Sequence, residues 1–314
     1  MTTIKKISKK HILRAVEELN KGKLISFPTE TVYGLGAEAT NDVAIAKIFK
    51  CKNRPKFNPI IAHFSNIKEI ENHCEVSKEV KRIGLEFWPG PLTIILNRKK
   101  SSSLSLLLSA GLDTLAVRIP NNKVALELIR NLKSPIAAPS ANKSGFLSPT
   151  KANHVYNYFK NEKDLSLILD GGQTSVGVES TIITFEKNQI TILRHGGITK
   201  EDLETKLTYK VVDKSNQKNQ KIISPGLTQN HYSPSVPLRI NAKRANKDEV
   251  LIGFGPKFKE PNLSISGDLT EAAANLFSIL AKLEKEFKKI AITSIPEKGI
   301  GKAINDRIKR ASNN

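Results

Sequence analysis

Cysteine is nearly absent from the sequence. The 314 residues contain two cysteines, Cys51 and Cys74, and nothing in their spacing pairs them. Disulfide frameworks and zinc sites need more thiols in recognisable pairs. We therefore expect neither kind of site, we assign no metal-ligating residue, and we expect a reducing compartment, the cytoplasm.

Long apolar runs are also missing. No stretch approaches the roughly 20 apolar residues that span a membrane. The basic N-terminus, with Lys5, Lys6, Lys9 and Lys10, is not followed by the apolar segment of a signal peptide. With 39% hydrophobic residues the chain can still bury a full core, and its length suggests two domains. The sequence predicts a protein that neither spans a membrane nor is secreted.

Acidic residues are few relative to basic ones. There are 30 Asp and Glu against 50 Lys and Arg, which gives a net charge of +20. This charge favours nucleic acid or a phosphorylated ligand as a partner. The excess is spread along the chain, however, since residues 235–314 hold 15 basic and 9 acidic residues. Aromatic residues amount to 6% and are scattered, so no base-stacking surface is indicated.

A polar stretch follows the first strongly apolar run. Residues 24–27 are apolar enough to predict a buried strand, and residues 28–36 continue as Pro-Thr-Glu-Thr-Val-Tyr-Gly-Leu-Gly. Hydroxyls, a carboxylate and glycines at a strand end are typical of sites in α/β proteins. We therefore expect a site at residues 28–36.

A basic segment occupies residues 50–63. Its two prolines disfavour helix in the residues before them, so we expect an extended chain there. Residues two apart then share a face, which brings Lys52 and Arg54 together with Asn58 nearby. Such a cationic fork suits a polyphosphate. A basic run taken alone is more often a solvated loop.

Two further residues stand inside predicted strands. Arg118 lies among apolar residues at 115–119, and a buried guanidinium needs an anion beside it. That anion can be a protein carboxylate or a ligand, and the sequence leaves both open. His63 lies in a predicted strand at 60–64, where histidine is more often structural than catalytic.

A second polar segment contains Ser140 and Asn142. Pro139 rules out a regular central strand, so we expect an irregular strand end there. Ser140 and Asn142 are two apart and are expected to share a face. Capping of the local backbone is the simpler explanation for such a pair.

The predicted elements favour an α/β fold with α+β character. Strands outnumber crossover helices in the first two thirds of the chain, which indicates a large twisted mixed sheet with helices rather than a doubly wound parallel sheet. The last part predicts a small Rossmann-like β-α-β-α unit that lacks the third glycine of a dinucleotide fingerprint. We therefore predict a catalytic domain at 1–210, a loop-like linker at 211–237 and a small α/β domain at 238–314. The predicted helices are 9–21, 42–50, 121–132, 269–287 and 299–312, and the remaining predicted strands are 93–96, 165–169, 182–185, 190–193, 250–254 and 289–295.

Together these segments resemble the threonylcarbamoyl-AMP synthase family, the YrdC-like proteins, in a longer two-domain form. The likeness runs from about residue 9 to residue 312. It rests on ordered motifs: residues 28–36, Lys52-Asn53-Arg54-Pro55 with Asn58-Pro59, Trp88-Pro89-Gly90-Pro91-Leu92-Thr93, Ser140-Ala141-Asn142 with Ser144-Gly145, Gly177-Val178-Glu179-Ser180-Thr181, Ser224-Pro225-Gly226 with His231-Tyr232, Gly267-Asp268-Leu269 and Ala303-Ile304-Asn305-Asp306-Arg307.

The resemblance implies an enzyme that makes threonylcarbamoyl-AMP from L-threonine, bicarbonate and ATP, with Mg²⁺ on the phosphates and pyrophosphate as the other product. A downstream threonylcarbamoyl transferase complex would then modify the adenosine next to the anticodon of certain tRNAs, and weak contact with RNA is expected. The implied roles are L-threonine binding for Thr31, His63, Arg118 and Ser180; ATP binding for Arg54, Asn58, Thr114, Ala138, Ser148, Arg194 and the linker residue Tyr232; and catalysis for Lys52, Arg54, Ser140 and Asn142.

Two other functions compete with this interpretation. A non-catalytic RNA-binding module would account for the charge of +20 and would bind RNA with a steep dependence on salt. A hydrolase could use Ser140 with His63 as its base, but the sequence lacks a nucleophile-elbow glycine pattern. Neither alternative predicts consumption of ATP.

Overall fold

A computed structural model describes residues 2–215 and 232–312. An eleven-stranded mixed sheet dominates the first part, in the order β1-β8-β2-β3-β7-β4-β6-β5-β9-β10-β11. Its strands are β1 Thr3–Lys6, β2 Leu24–Phe27, β3 Gly34–Glu38, β4 Ala62–His63, β5 Leu92–Asn97, β6 Thr114–Arg118, β7 Ile136–Ala137, β8 Leu165–Asp170, β9 Thr181–Glu186, β10 Gln189–Arg194 and β11 Lys210–Asp213.

Helices cover both faces of this sheet. The first and fifth helices pack with the side chains of Ile25, Phe27 and Leu167 in one hydrophobic cluster, while a larger cluster fills the other side. Side-chain caps start several of them; Asn41, for example, accepts a hydrogen bond from the amide of Ala44. The helices are α1 Lys9–Asn20, α2 Asp42–Lys52, α3 Ile67–His73, α4 Lys78–Phe87, α5 Lys123–Leu132, α6 Ala152–Phe159 and α7 Lys200–Lys206.

The second part is a small parallel α/β unit. Its three strands run in the order β12-β14-β13, and both neighbouring pairs are parallel. The core of this unit also takes in Leu147 and Val178 from the first part of the chain. The two parts therefore share a hydrophobic cluster. The elements are β12 Leu238–Arg239, β13 Val250–Ile252, α8 Leu269–Glu286, β14 Ile290–Ile292 and α9 Gly301–Ala311.

The predicted fold class is confirmed. The sheet is mixed, as in the parallel pair β1 and β8 and the antiparallel pair β9 and β10, and the final unit contains the predicted β-α-β-α order. Short elements were missed. Among them are β1, β7 and β12, which consist of four, two and two residues and carry little periodic signal.

Two local predictions are wrong. Lys52 is the last residue of helix α2, which ends at Asn53 in the left-handed conformation (φ 52°), so the extended chain expected from Lys52 onward does not begin there. The segment from Val211 was predicted to be loop, but Lys210–Asp213 forms strand β11 parallel to β10. The linker motif with Ser224 and His231 lies outside the described residues. Among the residues that are described, no helix has the length and apolar character needed to cross a membrane.

Candidate functional site

A pocket opens where the ends of several strands of the large sheet meet. It collects residues from segments far apart in the sequence. Nine of the predicted site residues line it: Thr31, Arg54, His63, Arg118, Ala138, Ser140, Ser180, Arg194 and Tyr232. Also in its wall are Thr29, Val32, Tyr33, Gly34, Ile61, Pro139 and Glu179.

Hydrogen bonds among its own residues shape the turn that follows strand β2. The hydroxyl of Thr29 donates to the carbonyl of Val32 at 2.7 Å and lies 2.8 Å from the hydroxyl of Thr31. The phenol of Tyr33 donates to the carbonyl of Gly172 at 2.8 Å. Because the turn is cross-linked in this way, the Thr31 hydroxyl is held at the pocket wall rather than left to rotate in solvent.

Arg118 lies in the pocket wall at the end of strand β6. Its Nη2 lies 2.7 Å from Oε1 of Glu30, an ion pair that lacks the alignment of a hydrogen bond. Its Nη1 donates to the hydroxyl of Thr31 at 3.0 Å, and its Nε donates to the carbonyl of Gly90 at 3.2 Å. The anion that a buried guanidinium requires is therefore a protein carboxylate, Glu30. Sequence reasoning placed Glu30 in the expected site at residues 28–36 but did not assign it as the partner of Arg118, although the need of Arg118 for an anion was a signal for it.

His63 is buried beside this pair. Burial, with the positive charge of Arg118 as the second cause, lowers the pKa of His63 to about 3. Its ring meets the ring of Phe27 edge-on, with centroids 6.3 Å apart, and its Nδ1 has no hydrogen-bond partner among the described residues. The imidazole is therefore neutral at physiological pH and presents a donor or an acceptor without carrying charge.

This shift makes acid stability a test of the geometry around His63. In the unfolded chain His63 binds a proton below its ordinary pKa of 6.5, whereas in the folded chain it does so only below about 3. Burial of the neutral ring therefore costs no unfolding free energy above pH 6.5, and the free energy of unfolding falls as the pH decreases from 6.5 towards 3. We expect His63→Gln to reduce the loss of unfolding free energy between pH 7.5 and pH 4.5 by roughly 3 kcal/mol. Urea unfolding of both proteins at both pH values measures it, and equal pH dependence would contradict it.

Arg54 lies on the turn after helix α2. Its Nη2 donates to Oδ1 of Asn58 at 2.8 Å and to the carbonyl of Pro59 at 2.6 Å, and its Nε donates to the carbonyl of Asn58 at 3.0 Å. Burial lowers its pKa to about 9, which still leaves it charged at neutral pH. Asn58 itself is not in the pocket wall. It holds Arg54 in position.

Lys52 does not stand beside Arg54 in the pocket. Its ammonium group is buried and donates to the carbonyl of Ser140 at 2.6 Å and to the carbonyl of Asn142. Burial, reinforced by the charge of Arg54, lowers the pKa of Lys52 well below its ordinary value. The predicted cationic fork therefore separates into one arginine that faces the pocket and one lysine that ties helix α2 to the loop behind it.

Ser140 and Asn142 also separate. Ser140 faces the pocket, whereas the amide of Asn142 is fully buried and donates to the carbonyls of Lys143 and Phe146 at 2.8 and 2.9 Å. The shared face expected from their spacing is wrong, because the chain turns after Ser140 instead of continuing as a strand. Asn142 organises the loop that presents Ser140.

Arg194 and Ser180 form another part of the wall. Arg194 donates from Nη2 to the carbonyl of Ser180 at 2.8 Å and to its hydroxyl at 3.2 Å. The hydroxyl of Ser180 also lies 2.7 Å from that of Thr93. Burial lowers the pKa of Arg194. The guanidinium is thus fixed between strand β10 and the segment that precedes strand β9.

Two more predicted residues, Ser148 and Thr114, lie away from the pocket wall, as Lys52, Asn58 and Asn142 do. The hydroxyl of Ser148 donates to the carboxylate of Glu179, which does line the pocket. Thr114 is the first residue of strand β6, whereas Arg118 is the last. The structure therefore brings Ser148 to the site through Glu179 and leaves Thr114 at the far end of the strand.

The charge in the pocket suits an anionic ligand. Three guanidinium groups, those of Arg54, Arg118 and Arg194, line the pocket with one carboxylate, that of Glu179. Glu30 pairs with Arg118, and a surplus of positive charge remains. Among the described residues there is no group of three or more His, Cys, Asp and Glu side chains arranged to hold a metal ion.

Two family models match the chain in succession. The Sua5/YciO/YrdC model, described as "Telomere recombination", matches residues 17–196. The model described as "Threonylcarbamoyl-AMP synthase, C-terminal domain" matches residues 198–313. Together they account for both parts of the fold.

Curated relatives and a solved structure agree with these matches. The chain is 39% identical to the threonylcarbamoyl-AMP synthase of Bacillus subtilis, over 96% of this chain and 92% of the relative. It is 37% identical to that of Pyrococcus abyssi, over 94% and 92%. The crystal structure of P. abyssi Sua5 complexed with L-threonine superposes with a TM-score of 0.87 at 32% identity and covers 99% of this chain and 97% of that one. The chain therefore belongs to the threonylcarbamoyl-AMP synthase family, in its two-domain form.

Proposed function

We propose that this protein condenses L-threonine, bicarbonate and ATP into threonylcarbamoyl-AMP and pyrophosphate, for transfer to tRNA adenosine. The observation that supports this most directly is the lining of one pocket. Arg54 and Arg194, suited to phosphates, share it with Thr31, Arg118 and Ser180, suited to a small amino acid. A related protein has been crystallised with L-threonine.

The threonine end of the pocket lies around strand β6. Arg118 is positioned by Glu30 and Gly90 and is proposed to receive the threonine carboxylate as a planar fork. The hydroxyls of Thr31 and Ser180 complete the polar contacts. His63, neutral because its pKa is low, hydrogen-bonds the substrate without repelling its ammonium group.

The ATP end lies around Arg54 and Arg194. Both guanidinium groups are proposed to bind phosphate oxygens, with Ala138 and Tyr232 also in the wall. Asn58 contributes by orienting Arg54, and Ser148 contributes through Glu179. Thr114 is retained as an ATP-binding residue by resemblance alone.

The proposed chemistry needs positioning more than covalent catalysis. The amine of threonine and bicarbonate give a carbamate with loss of water. A carbamate oxygen then bonds to the α-phosphorus of ATP as the bond to pyrophosphate breaks. Such a transfer is accelerated by alignment and by fixed cations near the developing charge. Lys52 and Asn142 serve it indirectly, by holding the loop that presents Ser140. Mg²⁺ is proposed to enter bound to ATP.

The domain bounds, the location and the partners of the protein are also proposals. The division into 1–210, 211–237 and 238–314 and the cytoplasmic location follow from the sequence. The closure of the linker over the site, the downstream transferase and weak RNA contact follow from the resemblance. The two free cysteines, Cys51 and Cys74, are compatible with a reducing compartment.

Pyrophosphate release tests this function directly. Purified protein with ATP and Mg²⁺ is expected to release pyrophosphate only when threonine and bicarbonate are both present, and serine is expected to replace threonine poorly. Each substrate is omitted in turn as the control. Release without threonine, or no release from a folded sample, would contradict the proposal. In the second case, RNA binding at several salt concentrations would test the binding-module alternative.

A further inference from the structure

One buried arginine of the second domain reaches the pocket wall. Arg307, on helix α9, is fully buried and is the largest side chain of the described residues that is shielded from solvent in this way. The threonylcarbamoyl-AMP chemistry above does not use it. A guanidinium is costly to bury unless its surroundings compensate its charge, so its partners indicate its role.

The first partner belongs to the other domain. Nε of Arg307 donates to Oε2 of Glu179 at 2.8 Å, across 128 residues of sequence. The other carboxylate oxygen of Glu179 accepts from the hydroxyl of Ser148. Glu179 lines the pocket directly before Ser180. Arg307 therefore supports the wall segment that carries Ser180, and Arg194 is anchored on that same segment.

The second partner is Tyr232. The guanidinium of Arg307 lies 5.0 Å from the centroid of the Tyr232 ring, within cation–π distance. The ring of Phe277, on helix α8, packs on the same tyrosine with centroids 5.8 Å apart. Tyr232 is itself buried and lines the pocket. Two residues of the second domain, Arg307 and Phe277, therefore hold the ring of Tyr232.

The carboxylate of Asp306, next to Arg307 on helix α9, holds the arginine in this orientation. Nη1 of Arg307 donates to Oδ2 of Asp306 at 2.7 Å, and Arg310 donates to Oδ1 of the same carboxylate at 2.7 Å. Arg310 thus shares an anion with Arg307. Arg310 is not among the residues that line the pocket, which makes it a comparison arginine on the same helix.

We propose that Arg307 is a positioning residue for the nucleotide end of the pocket: by holding Glu179 and Tyr232, it makes the second domain part of the ATP-binding wall. This inference rests on the proposed function, since it takes ATP as the ligand of that wall. Arg118 and Thr31, at the threonine end, are held by contacts with each other and with Glu30, whereas Ser180 depends on Arg307 only through Glu179. Loss of Arg307 should therefore weaken ATP binding more than threonine binding.

The test compares Arg307→Met with Arg310→Met in the full-length chain. We expect Arg307→Met to raise KM for ATP about tenfold, the effect of losing one orienting interaction, and to change kcat and the threonine Kd less than about twofold. Arg310→Met should leave all three constants near wild type. ATP KM comes from pyrophosphate release and threonine Kd from calorimetry, while thermal unfolding checks that each variant is folded.

A second variant covers the case in which Arg307→Met does not fold, because that substitution removes the arginine that forms an ion pair with the buried carboxylate of Glu179. Arg307→Met combined with Glu179→Gln removes both charges, which commonly restores stability. We expect this folded protein still to show the raised ATP KM, since Tyr232 has lost its support. An unchanged ATP KM, or equal weakening of ATP and threonine, in a folded variant would overturn the inference. Failure of the wild-type protein to release pyrophosphate would instead overturn the proposed function.

Discussion

Replacement of Arg118 by methionine is expected to reduce threonine-dependent pyrophosphate release by roughly 100- to 1,000-fold, the range seen when a preorganised charged donor is removed. It should also lower the free energy of unfolding by about 3–5 kcal/mol, because a buried carboxylate is left without its partner. Both effects follow from one geometry. Arg118 lies 2.7 Å from Glu30, and both side chains are buried.

A double substitution separates the two effects. In Arg118→Met combined with Glu30→Gln, no unpaired charge remains, so most of the lost stability should return. Activity should stay lost, because neither new side chain can receive a threonine carboxylate as a guanidinium does. Recovery of activity together with stability would show that Arg118 acts only through the fold, and the threonine-binding role would be abandoned.

An exposed ion pair provides the control. Lys81 lies 2.9 Å from Glu71, and the two side chains are 49% and 34% exposed. Lys81→Met should therefore change the free energy of unfolding by less than about 1 kcal/mol and leave activity unchanged. Urea unfolding and pyrophosphate release, measured on the three variants and the wild type, give both quantities. If Lys81→Met lowered the free energy of unfolding as much as Arg118→Met does, burial of the ion pair would not explain the effect of Arg118→Met.

The secondary structure that was predictable from the sequence is the part with strong local signals. Helix α1 begins at Lys9, as predicted, because apolar residues recur at helical spacing behind the Ser8 cap. Strand β2, Leu24–Phe27, matches its apolar run exactly in length. In contrast, strand β11 carries no such pattern, since it has only four residues, Lys-Val-Val-Asp, and is stabilised by its pairing with β10. Its presence depends on a partner, which periodicity does not report.

The composition of the site was predictable, but its pairings were not. Arg118, Ser140 and Arg54 were recognised as candidates from their types and surroundings. Arg118 is bonded to Thr31 across 87 residues of sequence, and no local spacing rule connects residues so far apart. The predicted orientation of the Lys52 side chain is wrong for a different reason. Helix α2 extends to Lys52 and turns its ammonium group toward the loop of Ser140, whereas the spacing argument assumed an extended chain.

Alanine at Gly177 is expected to damage the contact between the two domains. Gly177 has a φ of +77°, and an added Cβ would lie 2.2 Å from the carbonyl oxygen of Ala273 and 2.4 Å from Cα of Ala274, both in the backbone of helix α8. A clash with backbone cannot be relieved by rotating a side chain. The 177–180 segment or helix α8 must therefore move, and the segment carries Glu179 and Ser180 with it.

Gly172 is a matched control for the backbone conformation. Its φ is +79°, but an added Cβ would meet nothing within 4 Å. Gly172→Ala should therefore cost only the left-handed strain, about 1 kcal/mol of unfolding free energy. Gly177→Ala carries the same strain plus the clash, and we expect a loss of at least about 3 kcal/mol, together with a raised KM for ATP. Urea unfolding and pyrophosphate release measure these effects on the two variants.

The difference between the two glycines tests how closely the second domain is built into the site. If the 177–180 segment is held against helix α8, displacing it disturbs Glu179 and the carbonyl of Ser180 that anchors Arg194 at 2.8 Å. ATP binding should therefore weaken, and the contact with threonine proposed for Ser180 should weaken with it. Equal, small effects for Gly177→Ala and Gly172→Ala would mean that the segment moves away from the helix without consequence. The second domain would then be adjacent to the pocket without shaping it.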